Sequence, residues 1–312
     1  MVQNGEMAEA VSSRVPALER GVETAGWWPA DRLICSYLLA WGLLIAVFWR
    51  QVPGAGWLLC LHVAGMATLA VAAGREAKEG SVLWLFRHCY PLLYVAACYR
   101  EMSVLIPAIR GKGVDAALAR LDYAIWGVHP TVWLERLQRP WLTESLQIAY
   151  ALFLPGMLVV VAVLWLRKRL AEFRYNVFLL SLGFLTSYAG YFLAPVRGPR
   201  FLLEPWQGLP LEGLWSFPFL RHWLDVLEAA HYDCFPSGHT EIMLLVWWSS
   251  RQVSRNLFRV LGVYTLVMIV SAVYLRYHYT VDVAAGAVLA ALLWRLAPRL
   301  YGGEKGRGLG TD

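Results

Sequence analysis

The chain has 312 residues, 58% hydrophobic and only 16% charged, with a mean hydropathy of +0.47. Sixteen Trp and fifteen Tyr suit a protein with two lipid–water interfaces to anchor, so the composition points to a polytopic membrane protein built of helices and excludes a soluble domain. The net charge of +6 does not indicate a nucleic-acid partner, because the basic residues lie in short clusters between apolar runs and read as topology signals.

In chain order, Met1 to Asp31 is polar and lacks the basic-then-apolar pattern of a cleaved signal peptide, so the first apolar run is expected to stay as an anchor. A membrane crossing needs about 20 apolar residues. Runs of that kind fall near 33–49, 55–73, 81–99, 142–166, 175–194, 238–251, 257–275 and 281–298. The third is interrupted by Arg87 and His88, and the sixth reaches spanning length only if its Ser-Gly-His-Thr-Glu mouth is included. The expected fold is therefore all-α: a polytopic transmembrane helical bundle of about eight spans, of which the last five or so form a catalytic core. The organisation that follows is a cytoplasmic tail over 1–31, membrane segments and an interfacial loop over 32–140, the core over 141–299 and a second cytoplasmic tail over 300–312.

The basic clusters give the orientation. Arg75 with Lys78, Arg167-Lys-Arg169 with Arg174, Arg251 with Arg255 and Arg259, and Arg295 with Arg299, Lys305 and Arg307 alternate onto one side, which the positive-inside rule makes cytoplasmic. The 100–141 connection on the other side also carries Arg, and 113–121 and 131–138 read as interfacial helix. The expectation is a multi-pass protein of a bacterial inner membrane. Cys35, Cys60, Cys89 and Cys98 fall in or beside apolar runs and Cys234 in a long loop, so free buried thiols are expected rather than disulfides.

Two stretches carry chemistry. His231-Tyr-Asp-Cys-Phe-Pro-Ser-Gly-His239 opens the sixth run, and Ser271 to Asp282 stands between the seventh and eighth. Pro236-Ser-Gly-His fits a helix start, where free N–H groups and a positive dipole end make an anion site; alone, it also fits an ordinary capped helix. Arg197 and Arg200 sit where the fifth run leaves the membrane, and Arg276 lies two residues before His278. Three guanidiniums beside a helix N-terminus match the oxygens of a phosphate, although interfacial snorkelling also accounts for Arg197 and Arg200. His278 and Asp282 are four apart, so the carboxylate can hold one imidazole nitrogen and leave the other as nucleophile or base. His239 is suited to protonating a leaving alkoxide. All of these open on the same, non-cytoplasmic face. A zinc reading of His231, Asp233, Cys234 and His239 is the rival, with poor ligand spacing.

These motifs resemble the type 2 phosphatidic acid phosphatase superfamily, and within it the branch containing the inositol phosphorylceramide synthases. Pro-Ser-Gly-His is complete at Pro236 to His239. The Ser-Arg-x5-His-x3-Asp motif is matched at Ser271, His278 and Asp282, with Ala272 in place of its Arg; Arg276, one helical turn on, is a candidate substitute on the same face. The Lys-x6-Arg-Pro motif is altered to Gly198-Pro-Arg200, with Leu193 seven residues before Arg200 and Arg197 as the substitute for the Lys. His278-Tyr-Thr-Val-Asp282 and Asp122-x4-Gly127-x2-Pro130 are patterns similar to the synthase branch. The resemblance implies that His278 attacks phosphorus, that Asp282 orients it and that His239 protonates the departing alcohol. Arg197, Arg200, Arg276 and the N–H groups of Ser237 and Gly238 would hold the phosphoryl oxygens. It implies a lipid phosphate or phospholipid substrate within the bilayer, no cofactor and no metal. Water as acceptor makes a phosphatase and an alcohol makes a phosphotransferase. A transporter would explain the spans but not the His–His–Asp–Arg set.

Elsewhere, His62 and His88 read as helix-packing residues, Ala284 to Ala291 with Gly286 as a small-residue packing face, and Phe217 to Ala230 as an amphipathic helix on the lipid surface.

Overall fold

The computed structural model describes residues 22–23, 25–111, 113–227 and 232–302. His231, residues 1–21 of the N-terminal tail and 303–312 of the C-terminal tail lie outside the described residues. The fold is all-α. In chain order its principal helices are α1 (Pro29–Val47), α2 (Ala55–Ala73), α3 (Val82–Leu105), α4 (Asp115–Trp126), α5 (Pro140–Ala151), α6 (Phe153–Leu166), α7 (Leu170–Leu193), α8 (Phe217–Leu227), α9 (Gly238–Ser250), α10 (Arg255–Tyr274) and α11 (Thr280–Gly302). A two-residue strand pair, Val22–Glu23 with Ala77–Lys78, is the one sheet among the described residues.

Six helices (α1, α2, α3 with its extension to Arg110, α7, α10 and α11) are long and apolar enough to cross a membrane, and α5 with α6, bent by 43°, makes a seventh if the pair is one span. The remaining apolar run is different. Ser237 caps α9 with its side chain on the Thr240 N–H, and α9 is only 13 residues long. At 1.5 Å per residue that is about 20 Å, short of the roughly 30 Å of hydrocarbon a span must cover. It is buried along most of its length, from Gly238 and Thr240 to Ser249 and Ser250, as an interior helix must be.

The chain divides into two compact units: the described parts of Met1–Cys98, Val161–Leu185 and Leu293–Asp312, and the parts Tyr99–Val160 and Thr186–Leu292. In the first, the charges that interrupt the third run are paired. Arg87 donates to the Gly26 carbonyl at 2.6 Å and lies 3.4 Å from Asp31, which also accepts from the Tyr90 hydroxyl. His62 bonds the Leu38 carbonyl at 2.9 Å, His88 the Trp84 carbonyl at 2.8 Å, and Arg174 reaches His88 at 3.2 Å. Pairing removes most of the penalty of a charge out of water.

The second unit is organised by three carboxylates that bind backbone N–H groups. Asp115, at the start of α4, accepts from the N–H groups of Arg197 and Gly198, both at 2.9 Å. Asp122, two turns further along and fully buried, accepts from the N–H groups of Thr280 and Val281 at 3.0 Å and from the Thr280 hydroxyl at 2.7 Å. It thereby satisfies the orphan donors at the N-terminus of α11 from another part of the chain. Glu144 of α5 accepts from the N–H groups of Leu214, Trp215, Ser216 and Phe217 and from the Ser216 hydroxyl, which closes the loop leading into α8.

Asp122→Ala takes the acceptor from three part-buried donors. The expected cost is about 1–3 kcal/mol of stability, read as a lower thermal unfolding midpoint of the detergent-purified protein. Asp122→Asn, which keeps one acceptor oxygen, should fall between the two; a wild-type midpoint in Asp122→Ala would show that the clamp contributes nothing.

Candidate active site

Two short segments deliver the reactive side chains. His239 stands in the first turn of α9, and His278 lies in the turn between α10 and α11, two residues before Thr280. Asp282, in the first turn of α11, places Oδ2 3.2 Å from His278 Nδ1. The other imidazole nitrogen, Nε2, lies 3.4 Å from His239 Nδ1. His278 and Asp282 are buried, with relative exposures of 3% and 0%. The two segments are joined by the Ser237 N–H, which donates to the Asp282 carbonyl at 3.0 Å.

Around them lies a small open pocket lined by Tyr150, Arg197, Arg200, Asp233, Cys234, His239, Tyr277 and His278. Arg197 and Arg200 come from the loop that follows α7. Gly198 between them has φ of +101°, a region closed to most side chains, and a Cβ there would come within 2.8 Å of the Tyr277 carbonyl. Burial pushes the Asp115 carboxyl that holds this loop above its usual range, against the lowering effect of its two N–H donors. Tyr150 stacks on Tyr277 at 4.3 Å and on His239 at 4.6 Å, and its hydroxyl is 3.3 Å from His239 Nδ1. Phe153, on the other side of the bend between α5 and α6, packs against His239 at 4.4 Å.

The structure thus brings together His239, His278, Asp282, Arg197 and Arg200, and it places two other expected ligands elsewhere. Arg276 is not on the face of Ala272. α10 ends at Tyr274, and Arg276 follows its cap in a left-handed conformation (φ +67°), with Arg276 N–H on the Val273 carbonyl and Tyr277 N–H on the Ala272 carbonyl. This is the helix-ending arrangement in which the chain reverses away from its own axis. The Arg276 guanidinium binds Glu135 at 2.9 Å, Gln207 at 3.0 Å and the Leu209 carbonyl at 2.7 Å, and burial lowers its pKa against the opposing effect of Glu135. Its backbone carbonyl, not its side chain, serves the site, by accepting from the Arg200 N–H at 3.1 Å. Ser237 likewise gives its N–H to Asp282 and its hydroxyl to the helix cap, so it acts as a joint and not as a phosphate donor. Gly238 remains the first residue of α9.

Of the rival zinc set, Asp233 accepts from the Tyr99 hydroxyl at 2.6 Å. Cys234 instead joins the His278–Asp282 pair: its Sγ lies 2.6 Å from Asp282 Oδ2, 3.3 Å from the Tyr277 carbonyl and 3.6 Å from His278 Nδ1. Among the described residues these three are the donor cluster tight enough for a cation. Burial first, and the Asp282 carboxylate second, push the Cys234 thiol well above its usual range, so it stands as a neutral S–H donor to the carboxylate. The sequence reading missed Tyr150, Tyr277, Arg221 and Asp225 around the cavity. Only the last two had a visible signal, an Arg and an Asp four apart on an amphipathic segment.

Two histidines, a carboxylate and two arginines thus stand round one pocket. The model of the PAP2 superfamily matches residues 116–296, and the chain belongs to that superfamily. Neither the curated proteins nor the solved structures give a match. Membership supports a phosphatase- or phosphotransferase-type activity on a lipid phosphate and a multi-pass integral membrane protein.

Gly286, expected to pack helices, instead faces the Ser237 carbonyl so closely that a Cβ would overlap it. Gly286→Ala should therefore push α11 and the Pro236–His239 turn apart, lowering turnover about fivefold or more if overpacking of about 1–3 kcal/mol falls on the active conformation. Gly302→Ala, with nothing within 4 Å, is the control and should leave turnover unchanged.

Proposed function

We propose that this protein is an integral-membrane enzyme that transfers the phosphoryl group of a lipid phosphate by way of a phosphohistidine on His278. The observation that carries the reading is the placement of His278, with Nδ1 on Asp282 and Nε2 toward His239, in one cavity with Arg197 and Arg200. With Nδ1 held by the carboxylate, the lone pair of Nε2 points at the cavity. Phosphorus takes the place of the His278–His239 contact. The Nε2–P bond forms as the P–O bond to the lipid alcohol breaks, and His239 supplies the proton to the departing oxygen. Arg197 and Arg200 face the equatorial oxygens and offset their charge. In the second half, an acceptor hydroxyl gives its proton back to His239 as its oxygen attacks phosphorus and releases His278.

With water as acceptor the product is inorganic phosphate; with an alcohol it is a new phosphate ester. The His278-Tyr-Thr-Val-Asp282 and Asp122-x4-Gly127-x2-Pro130 patterns favour the alcohol, since both resemble those of the inositol phosphorylceramide synthases; with a phosphodiester donor the same step would carry the phosphate and its head group together. Asp122 adds a physical link, since it caps the helix that carries Asp282. The basic clusters in the sequence favour a site that opens on the non-cytoplasmic face.

Rapid-quench trapping with a labelled lipid phosphate tests the reaction. The wild type is expected to show an acid-labile phosphoenzyme and His278→Ala none. His239→Ala should lose about 10²- to 10⁴-fold on alkyl substrates but much less on an aryl phosphate, whose leaving group needs little protonation. A phosphoenzyme that survives in His278→Ala and vanishes in His239→Ala would reverse the two roles. Free phosphate against a new phospholipid, measured with candidate alcohols present, separates the two acceptors.

Orientation has its own test. Cysteines placed at Gly208 and at Lys168, both exposed, should respond oppositely to a membrane-impermeant thiol reagent added to intact cells. Labelling at 208 and not at 168 is expected; the reverse would place the site on the cytoplasmic side.

A further inference from the structure

Arg200 does not face the cavity with its charge unanswered. Its Nη1 lies 2.5 Å from Asp225 Oδ1, and the two side chains differ in setting: Arg200 is 11% exposed and Asp225 44%. Asp225 belongs to α8, which is anchored at its N-terminus and near its middle. Glu144 closes the loop at its N-terminus, and Arg221, one turn before Asp225, donates to the Leu275 carbonyl at 3.2 Å. The Arg221 guanidinium lies 4.5 Å over the ring of Tyr277, whose ring also carries Arg200 at 5.1 Å. Asp225 is therefore presented to Arg200 by a helix that is anchored independently of the ion pair.

We propose that Asp225 is a resident anion at the phosphate subsite: it occupies Arg200 when no substrate is bound, is displaced by the incoming phosphoryl group, and thereby sets the affinity of the site for phosphate. The proposal deepens the functional reading above, since it rests on Arg200 as a phosphate ligand. Its physical basis is the mismatch in the pair. An ion pair with a half-exposed carboxylate is weak and readily exchanged, whereas a phosphate dianion offers a guanidinium more charge and more acceptor oxygens than a carboxylate does. Removing the competitor should then strengthen phosphate binding. If Asp225 instead served to aim Arg200, removing it should weaken binding, so the two roles predict opposite signs.

The test uses the full chain, purified in detergent, and inorganic phosphate as the probe, with binding measured by calorimetry. Asp225→Asn keeps the shape of the side chain and removes its charge. It should lower the Kd for phosphate by about fivefold, the scale of a partly exposed ion pair, and lower KM for a short-chain lipid phosphate in parallel. Asp225→Ala should do the same, which excludes a new bond from the Asn amide as the cause. In an Arg200→Ala background the gain should disappear, because there is no guanidinium left to release. Unchanged or weaker phosphate binding in Asp225→Asn, in protein whose unfolding midpoint matches wild type, overturns the proposal. Because binding is read without turnover, a wild type that hydrolyses lipid phosphates while Asp225→Asn shows no gain defeats the resident-anion role alone. A wild type that turns nothing over while Asp225→Asn gains phosphate affinity defeats the enzymatic reading and supports the resident anion.

Discussion

A buried backbone N–H must have an acceptor, and wherever a helix begins or a loop turns without water at hand, that acceptor has to come from a side chain. Here the acceptors are three carboxylates from one part of the chain. Asp115 holds the backbone on either side of the Arg197–Gly198 bond, Asp122 the start of α11 and Glu144 the loop into α8. Each clamp lies near a residue that lines the pocket or touches its lining: Arg197, then His278 with its partner Asp282, then Arg221 against Tyr277 with Asp225 against Arg200. A polar backbone requirement has become the device that brings loops distant in sequence to one place. The segment from Asp115 to Glu144 therefore shapes the site through side chains on backbone, and Tyr150 just beyond it reaches His239 directly.

That division explains what the sequence showed and what it did not. The spans were legible because hydropathy acts over about 20 residues and needs no knowledge of neighbours. The His239, His278 and Asp282 set was legible because its spacing is local: a helix start, and an i, i+4 relation across a turn. The role of Asp122 was not, since nothing in Asp122-x4-Gly127-x2-Pro130 says that its carboxylate will cap a helix 158 residues later. Arg276 failed for a related reason. The reading assumed that helical phase continued from Ala272, whereas α10 stops at Tyr274 and the left-handed residue that ends it turns the guanidinium toward Glu135. Helix ends depend on one or two residues, and an apolar run does not mark them.

Cys234 shows the same limit from the other side. In sequence it is one more thiol near two histidines. In space it donates to the oxygen of Asp282 that faces His278, so the dyad is in effect a triad with a neutral third member. A thiol is a weak donor, and one held above its usual pKa by burial adds no negative charge to a site that must receive a phosphate.

The bend between α5 and α6 has a consequence for the freedom of His239. By breaking at Leu152, the pair sets Tyr150 on one side of His239 and Phe153 on another, so the imidazole is wedged between two aromatic rings while its Nδ1 is bracketed by a phenol and by His278. A ring so confined has no rotational search to make before it gives or takes a proton. The entropy of that search has been met once, in folding, and need not be met at each turnover. A kink that looks like a defect in a membrane helix is in this protein the clamp that holds one imidazole still.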